Sequence, residues 1–87
     1  MLPKVVEELL VTEELTRAVQ RFPRIWDAFE AFTWTLARNP ACGLLLDGRP
    51  PVWRVYQQGA VVSGAPAITG VFTVAPDVIT VIRVLLS

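Results

Sequence analysis

The C-terminal run VITVIRVLL, residues 78–86, constrains the fold more than any other stretch of the chain. Its β-branched and aliphatic residues favour a strand, whose side chains alternate between two faces. One predicted face holds Val78, Thr80, Ile82, Val84 and Leu86, and the other holds Ile79, Val81, Arg83 and Leu85. A strand that is apolar on both faces is usually covered on both. Two helices can cover one face of a small sheet, so we expect something else to cover part of the other.

The first half of the chain has helical periodicity instead. Thr12 is predicted as the N-cap of a short amphipathic helix that ends at Pro23. A second helix is predicted from about Pro23 to Arg38, and Pro40 disfavours its continuation. Its apolar stripe consists of Ile25, Ala28, Phe29, Phe32 and Leu36. Residues 4–10 fit either a short strand or a first helical turn.

The second half is predicted to contain three strands, at residues 52–58, 67–74 and 78–86, that form an antiparallel meander. Residues 41–51, with Gly and Pro, are predicted to form a loop. We expect Trp53 to lie under the helices. The predicted fold class is α+β, with an N-terminal helical hairpin on a small antiparallel sheet. That sheet is a three-stranded meander, with a short N-terminal strand as an option, in a single domain of residues 1–87.

Composition excludes several classes of function. Of 87 residues, 53% are hydrophobic, which is more than a thin core of this size can bury and favours a homo-oligomer or a bound protein chain. The net charge of zero lacks the basic excess of a nucleic-acid-binding surface. There is no His, and Cys42 is the only Cys, so we expect an apolar role for Cys42, no metal site and no cofactor. With no apolar run of about 20 residues, and with Glu7 and Glu8 where a signal peptide would be apolar, we expect a soluble, cytoplasmic protein.

Two arginines interrupt predicted strands, and both have two interpretations. Arg54 and Arg83 can stabilise a phosphate through their guanidinium groups, or they can be solvated strand charges that limit aggregation. Tyr56 shares a predicted face with Arg54, where it can exchange a proton or simply pack. Asp47 begins a DG turn, and a role in the turn is favoured over catalysis for it.

Trp34 is the main candidate for binding a partner. It is predicted on the side of the second helix opposite the apolar stripe, together with Arg38. Trp is enriched at the centres of protein interfaces, although packing within the chain is an equal alternative. Arg49, in the Gly/Pro loop, is a further candidate contact.

Three stretches resemble the RelE/ParE superfamily of bacterial toxins. FEAFTWTLARNPACG is similar to the end of the second family helix, VWRVYQQ to the family strand with an arginine before an apolar–aromatic pair, and FTVAPDVITVIRVL to the final hairpin. The resemblance covers residues 12–86. It implies a helical hairpin on an antiparallel sheet, a macromolecular target (gyrase or the ribosome) and an antitoxin that neutralises the toxin. It also implies that Arg54 and Arg83 are the strand arginines of a functional site.

Three functions are therefore kept open. The first is a toxin-like protein that binds gyrase or the ribosome and is held by an antitoxin. The second is a non-toxic interaction module, or a homodimer, on the same fold. The third is a ribosome-dependent mRNA endoribonuclease with Arg54, Arg83 and Tyr56 as catalytic residues, and it ranks last because a neutral, apolar sheet is a poor RNA surface.

Overall fold

The computed structural model describes residues 2–87 as two helices and five strands. In chain order these are β1 (Lys4–Glu7), α1 (Leu9–Ala18), α2 (Ile25–Arg38), β2 (Leu44–Asp47), β3 (Val52–Gln58), β4 (Ile68–Val74) and β5 (Val78–Leu86). The α+β class with an N-terminal helical pair is confirmed. Within these residues the three strands of the predicted meander are present, the optional N-terminal strand is confirmed as β1, and β2 was not predicted.

All five strands belong to one sheet, in the order β1-β5-β4-β3-β2. The three predicted strands pair antiparallel in its centre, and β1 adds to one edge parallel to β5. At the other edge β2 pairs antiparallel with β3, through Leu44 opposite Val55 and Leu45 opposite Arg54. Residues 44–47 were predicted as loop, because Gly and Pro flank the run and suggest a turn. The three consecutive leucines nevertheless supply a strand that β3 can pair with.

Helix α1 begins earlier than predicted. It starts at Leu9, and Thr12 lies within its first turn, so the assignment of Thr12 as N-cap is wrong. The Glu8 N–H donates to the Val81 carbonyl at 3.0 Å, and the Glu8 carbonyl accepts from the Thr12 N–H at 3.2 Å. The chain therefore passes directly from the parallel ladder of β1 into the helix. Of residues 2–87, no helix has the length and hydrophobicity needed to cross a bilayer.

The apolar stripe predicted on α2 is confirmed, since all five of its residues are buried. They pack on the face of the sheet that we call the inner face, which includes Ile68, Phe72, Ile79 and Val81. Below Phe32, β4 has Gly70 at an inward position, so no side chain separates the Phe32 ring from the β4 backbone. A polar contact also joins helix and sheet, because the Thr35 hydroxyl donates to Oε1 of the buried Gln58 at 2.9 Å.

A β-bulge in β5 changes the predicted alternation of its side chains. Phe72 lies opposite Val81 and Val71 lies opposite Arg83, which leaves Ile82 as the extra residue. Before the bulge Ile79 and Val81 point inward, as one predicted face requires. After it the inward positions are Val84 and Leu86, which pack against the core. The predicted faces are therefore wrong beyond Ile82.

Candidate functional site

Arg54, Tyr56 and Arg83 do not converge on one site. Arg54 lies opposite Phe72 and Tyr56 opposite Gly70, so both are on the inner face. Arg83 lies opposite Val71, on the other side of the sheet, which we call the outer face. The sheet itself separates the two guanidinium groups, so they cannot grip the same phosphate. Within the inner face, the Tyr56 ring stacks on Phe32 with 5.9 Å between centroids, as expected of a packing residue.

Arg54 is occupied by the backbone of the segment that follows α2. Its Nε donates to the Cys42 carbonyl at 3.0 Å, and its Nη2 donates to the carbonyls of Ala41 and Gly43 at 2.6 and 3.1 Å. These three oxygens come from consecutive residues, so one guanidinium holds the whole turn into β2. No pattern of residues predicts this role of Arg54, because the acceptors are main-chain atoms.

We expect Arg54→Ala to lower the free energy of unfolding by about 2 kcal/mol, since a charged donor contributes about 1.5–3 kcal/mol to a hydrogen bond and the Arg54 side chain is only partly buried. Urea unfolding followed by circular dichroism measures the loss. Arg83→Ala is the matched control, because no hydrogen bond or ion pair within residues 2–87 involves its side chain, and its change should stay within about 0.5 kcal/mol. Equal losses in the two variants would contradict the structural role of Arg54.

Cys42 lies under the same turn and is buried in the core. Burial raises the pKa of its thiol, and the nearby Arg54 charge offsets part of that rise. The thiol is therefore protonated near neutral pH. A nucleophilic Cys reacts as the thiolate, which requires a lowered pKa, so Cys42 lacks this property. The apolar role expected for Cys42 agrees with this burial.

The predicted partner-binding residues lie on the surface. Trp34 is 49% exposed, and the Arg38 guanidinium lies 5.2 Å from the centroid of its ring. The Trp34 side chain borders a shallow hollow with Leu2 and Pro3. Arg49 instead pairs with Asp47, at 3.1 Å between Nη2 and Oδ2, and its hydrogen bonds lower the pKa of that carboxyl. Arg49 thus closes the turn after β2 rather than standing free.

The outer face of the sheet is apolar, and neither α1 nor α2 covers it. Both helices pack on the inner face, so the outer side chains of the three central strands face away from them. Trp53 belongs to this outer face and is 36% exposed, which overturns its expected place under the helices. The face also contains Val6, Val55, Val71, Thr73, Thr80, Arg83 and Leu85. Gln57 and Thr69 are also on this face, which otherwise has aliphatic, Thr and Trp side chains and one charge, Arg83, on the three central strands.

The outer face continues onto an exposed edge strand. Leu44, in β2, lies beside Val55 and is 71% exposed. Leu45 and Leu46 are also exposed, and of the charges, prolines and bulges that usually prevent further pairing at an edge strand, β2 has only Asp47 and the β-bulge before it. The opposite edge, β1, begins with Lys4 after Pro3 and ends with Glu7, so it has these protective residues. Sequence reasoning missed the β2 edge because it assigned these leucines to a loop.

A groove lies at the end of the sheet where β1 begins. It measures about 710 Å³, and its walls come from the N-terminal segment, the β4–β5 turn and the loops after α2 and β2. The lining residues are Leu2, Pro3, Lys4, Pro40, Pro50, Val52, Val74, Ala75, Pro76 and Asp77. A smaller hollow of about 220 Å³ adjoins it and shares Pro40, Val52 and Val74, with Arg54 on its wall. The four prolines are distant in sequence, so only the fold brings them together.

Comparison of the chain with protein-family models, with curated proteins and with solved structures finds no match. The resemblance to RelE/ParE toxins therefore stays a prediction. The geometry defines a small α+β domain whose exposed apolar features include one sheet face, one edge strand and one groove.

Proposed function

We propose that this chain is a toxin-like protein that acts by binding a macromolecular target, gyrase or the ribosome, and that an antitoxin protein holds it inactive. The observation that most supports this proposal is the outer face of the sheet, which neither α1 nor α2 covers. Monomeric proteins rarely leave a contiguous apolar surface of this kind exposed unless it binds something. Trp53 and Arg83 lie on this face, and Trp and Arg are the residue types most enriched among interface hot spots.

A non-toxic interaction module is the second candidate. The same exposed face supports it, together with the net charge of zero. The two proposals differ in one outcome, because only the first one predicts that the chain arrests growth. The ribonuclease has less support, since the sheet separates Arg83 from Arg54 and Tyr56.

We expect tightly controlled induction of the wild-type chain to arrest bacterial growth, and the double variant Trp53→Ser, Arg83→Ala to relieve the arrest. The matched control is Trp26→Ser, Arg21→Ala, which makes the same two changes on the helical side, where Trp26 is similarly exposed. Growth curves are read beside the soluble amount and the circular dichroism spectrum of each variant. The control variant should remain toxic.

Three results decide between the candidates. If the wild-type chain does not slow growth when it is expressed without an antitoxin, the toxin proposal is wrong and the interaction module remains. If the helical-side variant relieves the growth arrest and the outer-face variant is still toxic, the helices contact the target instead of the outer face. Degraded transcripts in the arrested cells would favour the ribonuclease, whereas intact transcripts favour binding without cleavage.

A further inference from the structure

Strand β2 forms an edge of the sheet that stays open within residues 2–87. It is the last strand in the order β1-β5-β4-β3-β2, and it pairs on one side only, with β3. The N–H and C=O groups on the other side of an edge strand point out of the sheet. In the described part of the chain, no backbone–backbone hydrogen bond of a turn, loop or cap involves residues 44–47. β2 therefore presents free donors and acceptors to a further strand.

The side chains of β2 are suited to an apolar contact. Leu44, Leu45 and Leu46 are each more than half exposed. Asp47 is the one charged residue of the strand, and it is already paired with Arg49 at its end. The strand has four residues and a β-bulge before Asp47, so the ladder that a further strand can add is short. We therefore expect a weak contact through this edge.

The opposite edge of the sheet differs from β2 in the residues that limit pairing. β1 follows Pro3, begins with Lys4 and ends with Glu7. Proline has no N–H to donate, and charged side chains on an edge disfavour a further strand. Two open edges would let copies add without limit, whereas one open edge lets them join only in pairs. The difference between the two edges therefore favours a contact that closes at two copies.

We propose that β2 of one copy pairs antiparallel with β2 of a second copy, about a two-fold axis near Leu45. Identical edges related by a two-fold axis offer each other matching donors and acceptors, so the contact is isologous. Antiparallel pairing places Leu44 of one copy near Leu46 of the second copy, and it keeps the two Asp47 carboxylates at opposite ends. A second copy is favoured over an unrelated strand because it supplies leucines to the leucines and matches the single open edge. Its net charge of zero adds no long-range repulsion.

The pairing joins the two sheets into one continuous sheet, with β1 at each end. The two-fold axis that relates antiparallel strands is perpendicular to the sheet, so the outer faces of both copies lie on the same side. They form one longer apolar surface, which stays free to bind a target. The inference is therefore independent of growth inhibition, and its failure leaves the proposed function of the outer face unchanged.

Sedimentation velocity of the full chain from about 10 μM to about 1 mM tests the proposal. We expect a monomer–dimer equilibrium whose dissociation constant lies within that range, as for a small interface. The edge variant Leu44→Lys, Leu46→Lys brings like charges together and should raise the constant about tenfold or more. The control Leu9→Lys, Leu10→Lys makes the same changes at two exposed leucines of α1, and should change it less than about twofold. Circular dichroism checks that each variant is folded.

A second edge variant, Leu44→Glu, Leu46→Glu, supplies the sharpest comparison. Alone, each edge variant repels its own copies. In a mixture of the two, lysines meet glutamates across the paired strands, so association should return, which a merely structural role of the leucines cannot produce. A wild-type chain that stays monomeric up to about 1 mM overturns the proposal and leaves the edge to an extended strand of another protein. A mixture that does not associate, or a control that weakens the dimer as much as the edge variant, also overturns it.

Discussion

Gly43→Ala is expected to destabilise the protein by about 3 kcal/mol, the sum of a backbone cost and a steric one. Gly43 has φ of +77°, a conformation that costs an L-residue about 1–2 kcal/mol. An added Cβ would also overlap the Val55 carbonyl oxygen and lie 2.8 Å from the carbonyl carbon. Both atoms belong to the backbone of β3, so relief requires β2 to move away from β3. Urea unfolding monitored by circular dichroism measures the effect.

Gly64→Ala separates the two costs. Gly64 has a nearly identical φ of +80°, but a Cβ there would meet no atom within 4 Å. Its expected cost is therefore the backbone cost alone, about 1 kcal/mol. If both substitutions destabilise the protein equally, the close approach of Gly43 to β3 does not determine its stability, and the described position of β2 is wrong. A larger loss at Gly43 supports the tight contact.

How far the sequence predicts this fold depends on the type of signal. The spacing of five apolar residues predicted the buried face of α2 correctly, because the helical period of about 3.6 residues is easily told from the two-residue alternation of a strand. In β5 a single bulge at Ile82 reversed the predicted faces beyond it. Side chains of a strand alternate between its two faces, so one inserted residue moves every later side chain to the opposite face. Nothing in the local sequence marks that bulge. It arises from pairing with β4, a contact between distant residues.

The candidate site was harder to predict than the fold. Alternation in β3 placed Trp53 and Arg54 on opposite faces, which is correct, but it did not say which face the helices cover. The apolar Trp was the natural choice for the core, yet Arg54 points inward and donates to three carbonyls of the turn before β2. A main-chain acceptor has no sequence signature. The groove was missed for a related reason, since its prolines come together only after folding.

The packing of Phe32 over Gly70 gives the second large expected effect. Phe32 has no solvent exposure and stacks between Phe29 and Tyr56, with 6.0 and 5.9 Å between ring centroids. Phe32→Ala should cost about 3–5 kcal/mol through lost burial and the cavity that remains. A domain of this length has a total stability of about 4–13 kcal/mol, so the variant can lie close to unfolding. Phe32→Leu, which leaves a smaller cavity, keeps the comparison measurable by urea unfolding at low temperature.

Gly70→Ala tests whether the ring and the β4 backbone touch as described. The added Cβ would overlap Cζ of Phe32 and lie 2.9 Å from its Cε1, and the buried ring has no room to retreat. We expect a loss of about 1–3 kcal/mol in the wild-type background. In the Phe32→Leu background the Cβ gains space, so the two losses should fall short of additivity by about 1 kcal/mol or more. Additive losses would mean that Phe32 does not lie on Gly70, and the inner face of the sheet would then need another arrangement of α2.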